Sequence, residues 1–239
     1  MPSTPQVDVE IKAVTVEDLP VIAQGNIDTL TPFHDSMEHL PHLPDRIERQ
    51  SRRLSKLLSN PSVDFRKAVL KSTGELVGCA LWMFTRQGEK PRNLKRRFVE
   101  VVREGKEKEE EEDEWKGVDW EKWNACWNEW DAVRDGLMNG REHWYLVPLW
   151  VLPAFEGKGI GRLLLNEKIA QCDQTNPSTP IYLEASKQGK PLYSKLGFRQ
   201  YGESYYCEMI RWGEGNEKDL DRCEEKKKEF LEKSGRKEW

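Results

Sequence analysis

The chain has 239 residues, a net charge of -4 and a charged fraction of 33%, above the usual share of about a quarter. That balance excludes a strongly basic nucleic-acid binder, and Lys95-Arg96-Arg97, the most basic triplet of a mixed-charge run, reads as a solvated face. No run of 18 apolar residues is present, so no helical membrane span is expected. Five scattered cysteines, an odd number with no CxxC spacing, point to reduced thiols in a cytoplasmic or nuclear compartment rather than to a disulfide framework or a zinc knuckle.

The charges are clustered: residues 86–116 and 213–239 together hold 37 of the 80. Without them an ordinary globular composition is left, which predicts one domain over 1–239 with an insertion at 86–141 and a charged C-terminal tail at 213–239.

In chain order, Val7 to Ala13 alternates apolar and polar residues like a half-buried strand, and Thr15-Val16-Glu17-Asp18 opens a helix. Asp45 caps a second helix reaching Leu58. Phe65–Leu70 and Leu76–Phe84 flank the turn Ser72-Thr73-Gly74-Glu75 and read as a hairpin. Residues 86–114 contain nine consecutive charges, Lys106 to Glu114. They cannot bury enough apolar surface to offset ordering entropy, so a replaceable loop or exposed, partly ordered helix is expected there. Next, Trp120, Trp123, Trp127, Trp130 and Leu137 recur at helical spacing. This stripe either docks on its own domain, walls a substrate pocket, or presents a surface for a partner or second copy of the chain.

His143–Leu152 is a near-continuous apolar run, typical of a strand buried on both faces, in which Pro148 removes a ladder donor. A glycine turn and an amphipathic helix follow it. Then come a strand at Ile181–Ala185, a helix at Lys190–Leu196 ended by Gly197, and two short strands around Gly202. The order predicts a mixed α/β sheet.

A strand, the turn Gly157-Lys158-Gly159-Ile160-Gly161 and a helix form a phosphate-binding arrangement: glycines permit close backbone approach, and the first helical amides lack internal partners. A Rossmann site would place such a turn after the first strand, and no GKS or GKT follows for a P-loop. His34, His39 and His42, with Asp35 and Glu38, match no metal-ligand spacing, and the segment 31–44 reads instead as a loop bordering an acceptor site.

The segment Leu149-Trp150-Val151-Leu152-Pro153, the run Glu156 to Leu164, and Leu192-Tyr193-Ser194-Lys195-Leu196-Gly197-Phe198 resemble the two signatures of the GNAT N-acetyltransferase superfamily. About 60 residues match closely, with one departure: Glu156 stands where the family usually has Arg or Gln. The resemblance implies a GNAT-like acyl-CoA N-acyltransferase fold carrying a charged, Trp-rich helical insertion, with acetyl-CoA as co-substrate and no metal. It implies that backbone groups of Leu149, Trp150 and Val151 meet the pantetheine arm, and that amides from Gly157 through Lys158, Gly159 and Ile160 to Gly161 hold the pyrophosphate. Lys158 or Arg162 would lie near the adenosine phosphate.

Amine attack on a thioester needs a base for the ammonium proton and an acid for the thiolate. Tyr193 resembles the family's thiol-protonating tyrosine. For the base, Tyr145, Glu184 and His143 are open alternatives, Glu184 because burial raises a carboxyl pKa and His143 because it shares a strand face with Tyr145. The expected activity is acetyl transfer to a primary amine of a small molecule. The alternatives are a protein N-terminal or lysine acetyltransferase, and a catalytically weak acetyl-CoA-binding interaction module; neither nucleic acid nor membrane is an expected partner.

Overall fold

The computed structural model describes residues 7–30, 35–39, 42–95, 105–203 and 206–235. Seven strands form one mixed sheet in the order β1-β2-β3-β4-β5-β7-β6: β1 Val9–Ala13, β2 Val63–Leu70, β3 Leu76–Thr85, β4 His143–Val151, β5 Ile181–Ala185, β6 Arg199–Gln200 and β7 Cys207–Arg211. The predicted hairpin and the four later strands fall within a residue or two of their sequence positions. The helices are α1 Leu19–Thr29, α2 Leu43–Leu58, α3 Lys106–Glu114, α4 Trp120–Met138, α5 Ile160–Asp173, α6 Lys190–Lys195 and α7 Glu217–Ser234. The chain divides into two compact units whose boundary cuts through β3, α4, β4 and α5.

The first unit comprises residues up to Leu81, Arg92–Ala132 and Pro148–Leu164. Thr15 and Asp18 close a capping box that starts the helical run into α1. The apolar core gathers Ile22, Leu54, Phe65, Val77 and Leu81, all at most 5% exposed. Of the loop or exposed, partly ordered helix that the sequence allowed for the charged run, the structure shows the helix α3, exposed at its start and docked on this core at its end. Residues 105–110 are exposed, but Glu114 is buried. The Lys56 ammonium pairs with Glu114, the Arg49 and Arg52 guanidinium groups reach Asp113, and Arg53 donates to the Glu114 carbonyl. Arg53 also donates to Glu38 at 2.9 Å. Glu38 is itself buried and forms an isolated antiparallel bridge with Val118. This part of the 31–44 segment is therefore closed down by the insertion. Upstream, the buried Asn93 donates its backbone N–H to Asp131 of α4, and Trp123 Nε1 donates to the Lys95 carbonyl.

The tryptophan stripe docks on its own unit. Trp115, Trp123, Trp127 and Trp130 form a chain of edge-on ring contacts with centroids 6.1, 5.8 and 4.8 Å apart, the geometry aromatic quadrupoles favour. All four are at most 7% exposed, so these indoles are not the partner or dimer surface that the sequence left open. Trp120 alone of the stripe is half-exposed.

The second unit comprises Trp82–Pro91, Val133–Val147 and Leu165–Trp239, with Trp82, Leu165, Ile181, Leu183 and Ile210 at its core. The C-terminal tail is likewise not a free appendage. Cys223 of α7 is fully buried, and Arg222 and Lys226 donate to the carbonyls of Leu137 and Gly136. Cations thereby satisfy the last carbonyls of α4, where the helix dipole is negative. Arg141 adds an ion pair to Asp219 at 3.2 Å.

Trp127→Ala should lower unfolding free energy by about 3–5 kcal/mol through cavity formation. Replacing the exposed Glu107, Glu109 and Glu110 together by Gln should change it by no more than about 0.5 kcal/mol per site. Urea unfolding followed by circular dichroism measures both, and equal losses would show that the charged face of α3 carries packing.

Candidate active site

In the first unit, β4 ends at Val151 and the chain passes through a 3-10 turn, Pro153–Phe155, into the glycine segment and α5. Gly157 and Gly159 take φ of +71° and +84°, with nothing within 4 Å of where a side chain would begin. Both glycines are therefore required by backbone conformation, not by crowding. The amides of Ile160, Gly161 and Arg162 stand in the first turn of α5, where N–H groups have no intrahelical acceptor. Residues 156, 157, 159 and 162 are exposed, so the carboxylate at Glu156 lies on the surface. Lys158 lies 5.1 Å from the Phe155 ring centroid.

Trp150 serves a different end from its neighbours. Its indole is buried and donates from Nε1 to Asn26 Oδ1 at 2.8 Å, and Asn26 donates on to Gln50. A Cβ on Gly25 would stand 2.3 Å from this ring, so glycine on α1 is what admits the indole.

In the second unit, the parallel ladder between β4 and β5 runs only over Trp144↔Ile181, Tyr145↔Tyr182 and Leu146↔Leu183. It stops two residues short of Pro148, which has no N–H to give. The period of two places His143, Tyr145, Tyr182 and Glu184 on one face. Antiparallel pairing sets Glu208 opposite Glu184. The Tyr145 hydroxyl donates to Glu184 Oε2 at 2.7 Å, while Oε1 is enclosed without a hydrogen-bond partner among the described residues. The Arg134 guanidinium of α4, 1% exposed, covers this face 3.8 Å from the Tyr145 ring centroid and 5.9 Å from that of Tyr182.

Electrostatics divide the three base candidates. Burial, helped by the facing Glu208, pushes the Glu184 carboxyl up to about 7 against the pull of Arg134 and the Tyr145 hydroxyl. Burial and Arg134 push His143 down to about 3. The His143 Nδ1–H donates to the Arg141 carbonyl at 2.8 Å and its Nε2 is enclosed without a partner among the described residues. Burial raises the Tyr182 and Tyr193 hydroxyls above the ordinary tyrosine range. Tyr193 sits on α6 with its ring 5.7 Å from Phe198, and Gly189 gives it room, since a Cβ there would be 3.1 Å from the ring.

The sequence candidates thus fall into two sets. Leu149, Trp150, Val151 and residues 156–162 belong to the first unit, and His143, Tyr145, Glu184 and Tyr193 to the second. Arg134 escaped the sequence reading, as did the Asn26–Trp150 bond. The only sequence signal for Arg134 was its place four residues after Trp130, on the apolar stripe of a helix where a charge is costly. Of the histidine cluster, His42 pairs with Asp45 at 3.1 Å and Glu38 is taken up by Arg53, and His34 lies outside the described residues.

Residues 124–214 match the acetyltransferase (GNAT) domain family model, a stretch that contains β4, the glycine turn and Tyr193. The family likeness is confined to that stretch. Its fold is similar to that of a solved structure described as histone acetyltransferase HPA2 and related acetyltransferase from Corynebacterium glutamicum, with 20% identity, TM-score 0.52, and coverage of 85% of this chain and 95% of that one. A transcriptional regulator from Bacillus halodurans matches with 16% identity, TM-score 0.50 and coverage of 82% and 97%. The paia N-acetyltransferase from Thermoplasma acidophilum, solved with coenzyme A, matches with 15% identity, TM-score 0.48 and coverage of 86% and 99%. No curated protein matches the chain in sequence.

The raised Glu184 carboxyl has a consequence for stability that needs no substrate. Its folded pKa of about 7 exceeds the ordinary 4.5, so between those values the folded state binds more protons than the unfolded state. Stability contributed by this group is present below pH 4.5 and is lost as pH rises through 7. Glu184→Gln removes that loss and should be more stable than wild type at pH 8, by on the order of 3 kcal/mol, while the two converge near pH 5. Urea midpoints at the two pH values test this; a variant that is less stable at pH 8 would mean the carboxylate is stabilised where it lies.

Proposed function

We propose that this protein is a GNAT acetyltransferase that transfers an acetyl group from acetyl-CoA to a primary amine of a small molecule. The observation that carries the reading is the Gly157–Gly161 turn opening α5, within the stretch that matches the family. Its positive-φ glycines and the first-turn amides, which have no intrahelical acceptor, suit an anion such as a pyrophosphate. Lys158 and Arg162 supply positive charge beside it, and the exposed Glu156 opposes them only from the surface. The end of the β4–β5 ladder at Leu146 supports backbone binding of the pantetheine arm by Leu149, Trp150 and Val151.

Acetyl-CoA supplies an activated acetyl thioester when bound. The residues of this chain then have two proton tasks. Glu184, near 7, accepts a proton from the acceptor's ammonium group at neutral pH, with Tyr145 holding its Oε2. His143, near 3, is too weak a base for this work. Tyr193, kept protonated by its raised pKa, gives a proton to the departing thiolate. A small acceptor is favoured over a peptide because the described part of the 31–44 segment is drawn onto the insertion by Glu38, Arg53 and Val118.

Acetyl-CoA should raise the melting temperature with concentration, and Gly159→Asp should abolish the rise. Tyr193→Phe should keep it while slowing turnover about 10²–10⁴-fold. Turnover should increase with pH through about 7 as Glu184 ionises, and Glu184→Gln should lose most of the plateau. Thiol release against matched panels of small amines and peptides measures acceptor class. No thermal shift with millimolar acetyl-CoA would refute cofactor binding, and preference for peptides would refute the small-molecule acceptor.

A further inference from the structure

Within the first unit lies a cavity of about 350 Å³, at the small end of the range for ligand pockets. The insertion builds much of it, and none of the glycine-turn residues lines it. Trp115 and Trp123 form aromatic walls, Leu54 and Leu57 of α2 an aliphatic one, and Lys95 and Arg53 bring cations.

The cations differ. Arg53 is committed to Glu38 and to the Glu114 carbonyl, and the neighbouring Lys56 to Glu114. The Lys95 ammonium has an indole for company, the Trp127 ring at 5.3 Å, and no carboxylate among the described residues. Its backbone is fixed on both sides, by Asn93 Oδ1 and by Trp123 Nε1, so the ammonium is held at the cavity by an anchored segment. Lys95 is partly withdrawn from solvent, and with a ring face beside it and no carboxylate paired to it among the described residues, an anion delivered into the cavity would gain a charge-assisted hydrogen bond. The flat indole walls favour a planar, apolar body. Glu111 and Glu114 also line the cavity, which disfavours a second negative charge.

We infer that this cavity binds a small aromatic molecule carrying one carboxylate, with Lys95 as its counter-ion and Trp115 and Trp123 as its walls. The assignment does not rest on acetyl transfer. Lys95 is held at about 8 by burial and by the facing Arg53. Among the described residues, the titratable and charged groups around it are Cys79 of β3, Arg53 and Lys56 of α2, and Glu111 and Glu114 of α3. Cys79 stays a neutral thiol because burial raises it far above the ordinary thiol range. Binding needs the ammonium, so affinity should be full below 8 and should fall about tenfold per pH unit above it.

The test uses the full chain with phenylacetate and indole-3-acetate against phenylacetamide, phenethylamine and phenyl phosphate. Intrinsic tryptophan fluorescence serves as readout because two indoles line the cavity, and calorimetry confirms affinity. The carboxylates should bind and the amide and amine should not. Lys95→Met should weaken carboxylate binding about tenfold or more, Lys95→Arg should restore part of it, and Leu57→Trp should block it by filling the cavity. Circular dichroism checks that each variant is folded. Equal binding of amide and carboxylate, tighter binding of phenyl phosphate, unchanged affinity in folded Lys95→Met, or no binding by any probe at millimolar concentration would each overturn the assignment.

Discussion

Pro148 withholds one backbone donor inside β4, and much of the rest of the structure is arranged around that loss. A strand buried on both faces cannot leave its amides unpaired without cost, so β4 changes occupation along its length. Over Trp144–Leu146 it is an ordinary parallel partner of β5, and the register obtained there puts the Tyr145 hydroxyl on Glu184. Beyond Pro148 it is held differently: Trp150 is fixed from its side chain by Asn26, and Leu152 donates to the Val77 carbonyl. The glycine turn follows directly. One strand thus carries a tyrosine bonded to the Glu184 carboxyl and leads into the glycine turn, its ladder with β5 ending at Leu146 between the two.

The inserted stretch obeys a separate constraint, the cost of buried charge. Glu38 and Glu114 lie at 3% and 5% exposure, and a carboxylate persists there only with cations or donors at hand. Helix α2 supplies them at Arg53 and Lys56, while Arg49 and Arg52 hold the neighbouring Asp113. These pairs draw in α3, an element with no apolar face of its own. The tryptophan chain completes the attachment from Trp115 onward. Charge fixes where the charged helix ends, and aromatic burial supplies most of the energy, since ion pairs near a surface contribute little after screening.

Local signals were legible in the sequence: the hairpin from its turn residues, β4 from its apolar run, α5 from the glycines before it, and the shared face of His143 and Tyr145 from the period of two. What could not be read depends on partners far away in the chain. Asp113 and Glu114, at the end of the charged run, look as solvated as the charges before them because their partners at Arg49, Arg52, Arg53 and Lys56 lie about sixty positions earlier. Arg134 looks like a solvent-facing interruption of the tryptophan helix until β4 and β5 bring two tyrosine rings beneath it. The C-terminal charges look like a tail because Cys223 is the only fully buried residue of α7, and one cysteine carries no periodicity. Trp120 failed in the other direction, since spacing cannot tell where along a helix the apolar contact ends.

The choice among base candidates shows why residue type is a poor guide on such a face. In water an imidazole near 6.5 is the better acceptor at neutral pH and a carboxyl near 4.5 the poorer. Burial penalises whichever form is charged, so it moves the two groups in opposite directions, the acid up and the base down. Arg134 adds the same sign of field to both, lowering each. For His143 burial and Arg134 act together and the ring is left neutral near 3. For Glu184 they oppose, burial prevails, and the carboxyl comes to about 7. The two side chains have exchanged the positions their free values assign them, and the group able to gain and lose a proton near neutrality is the carboxylate bonded to Tyr145.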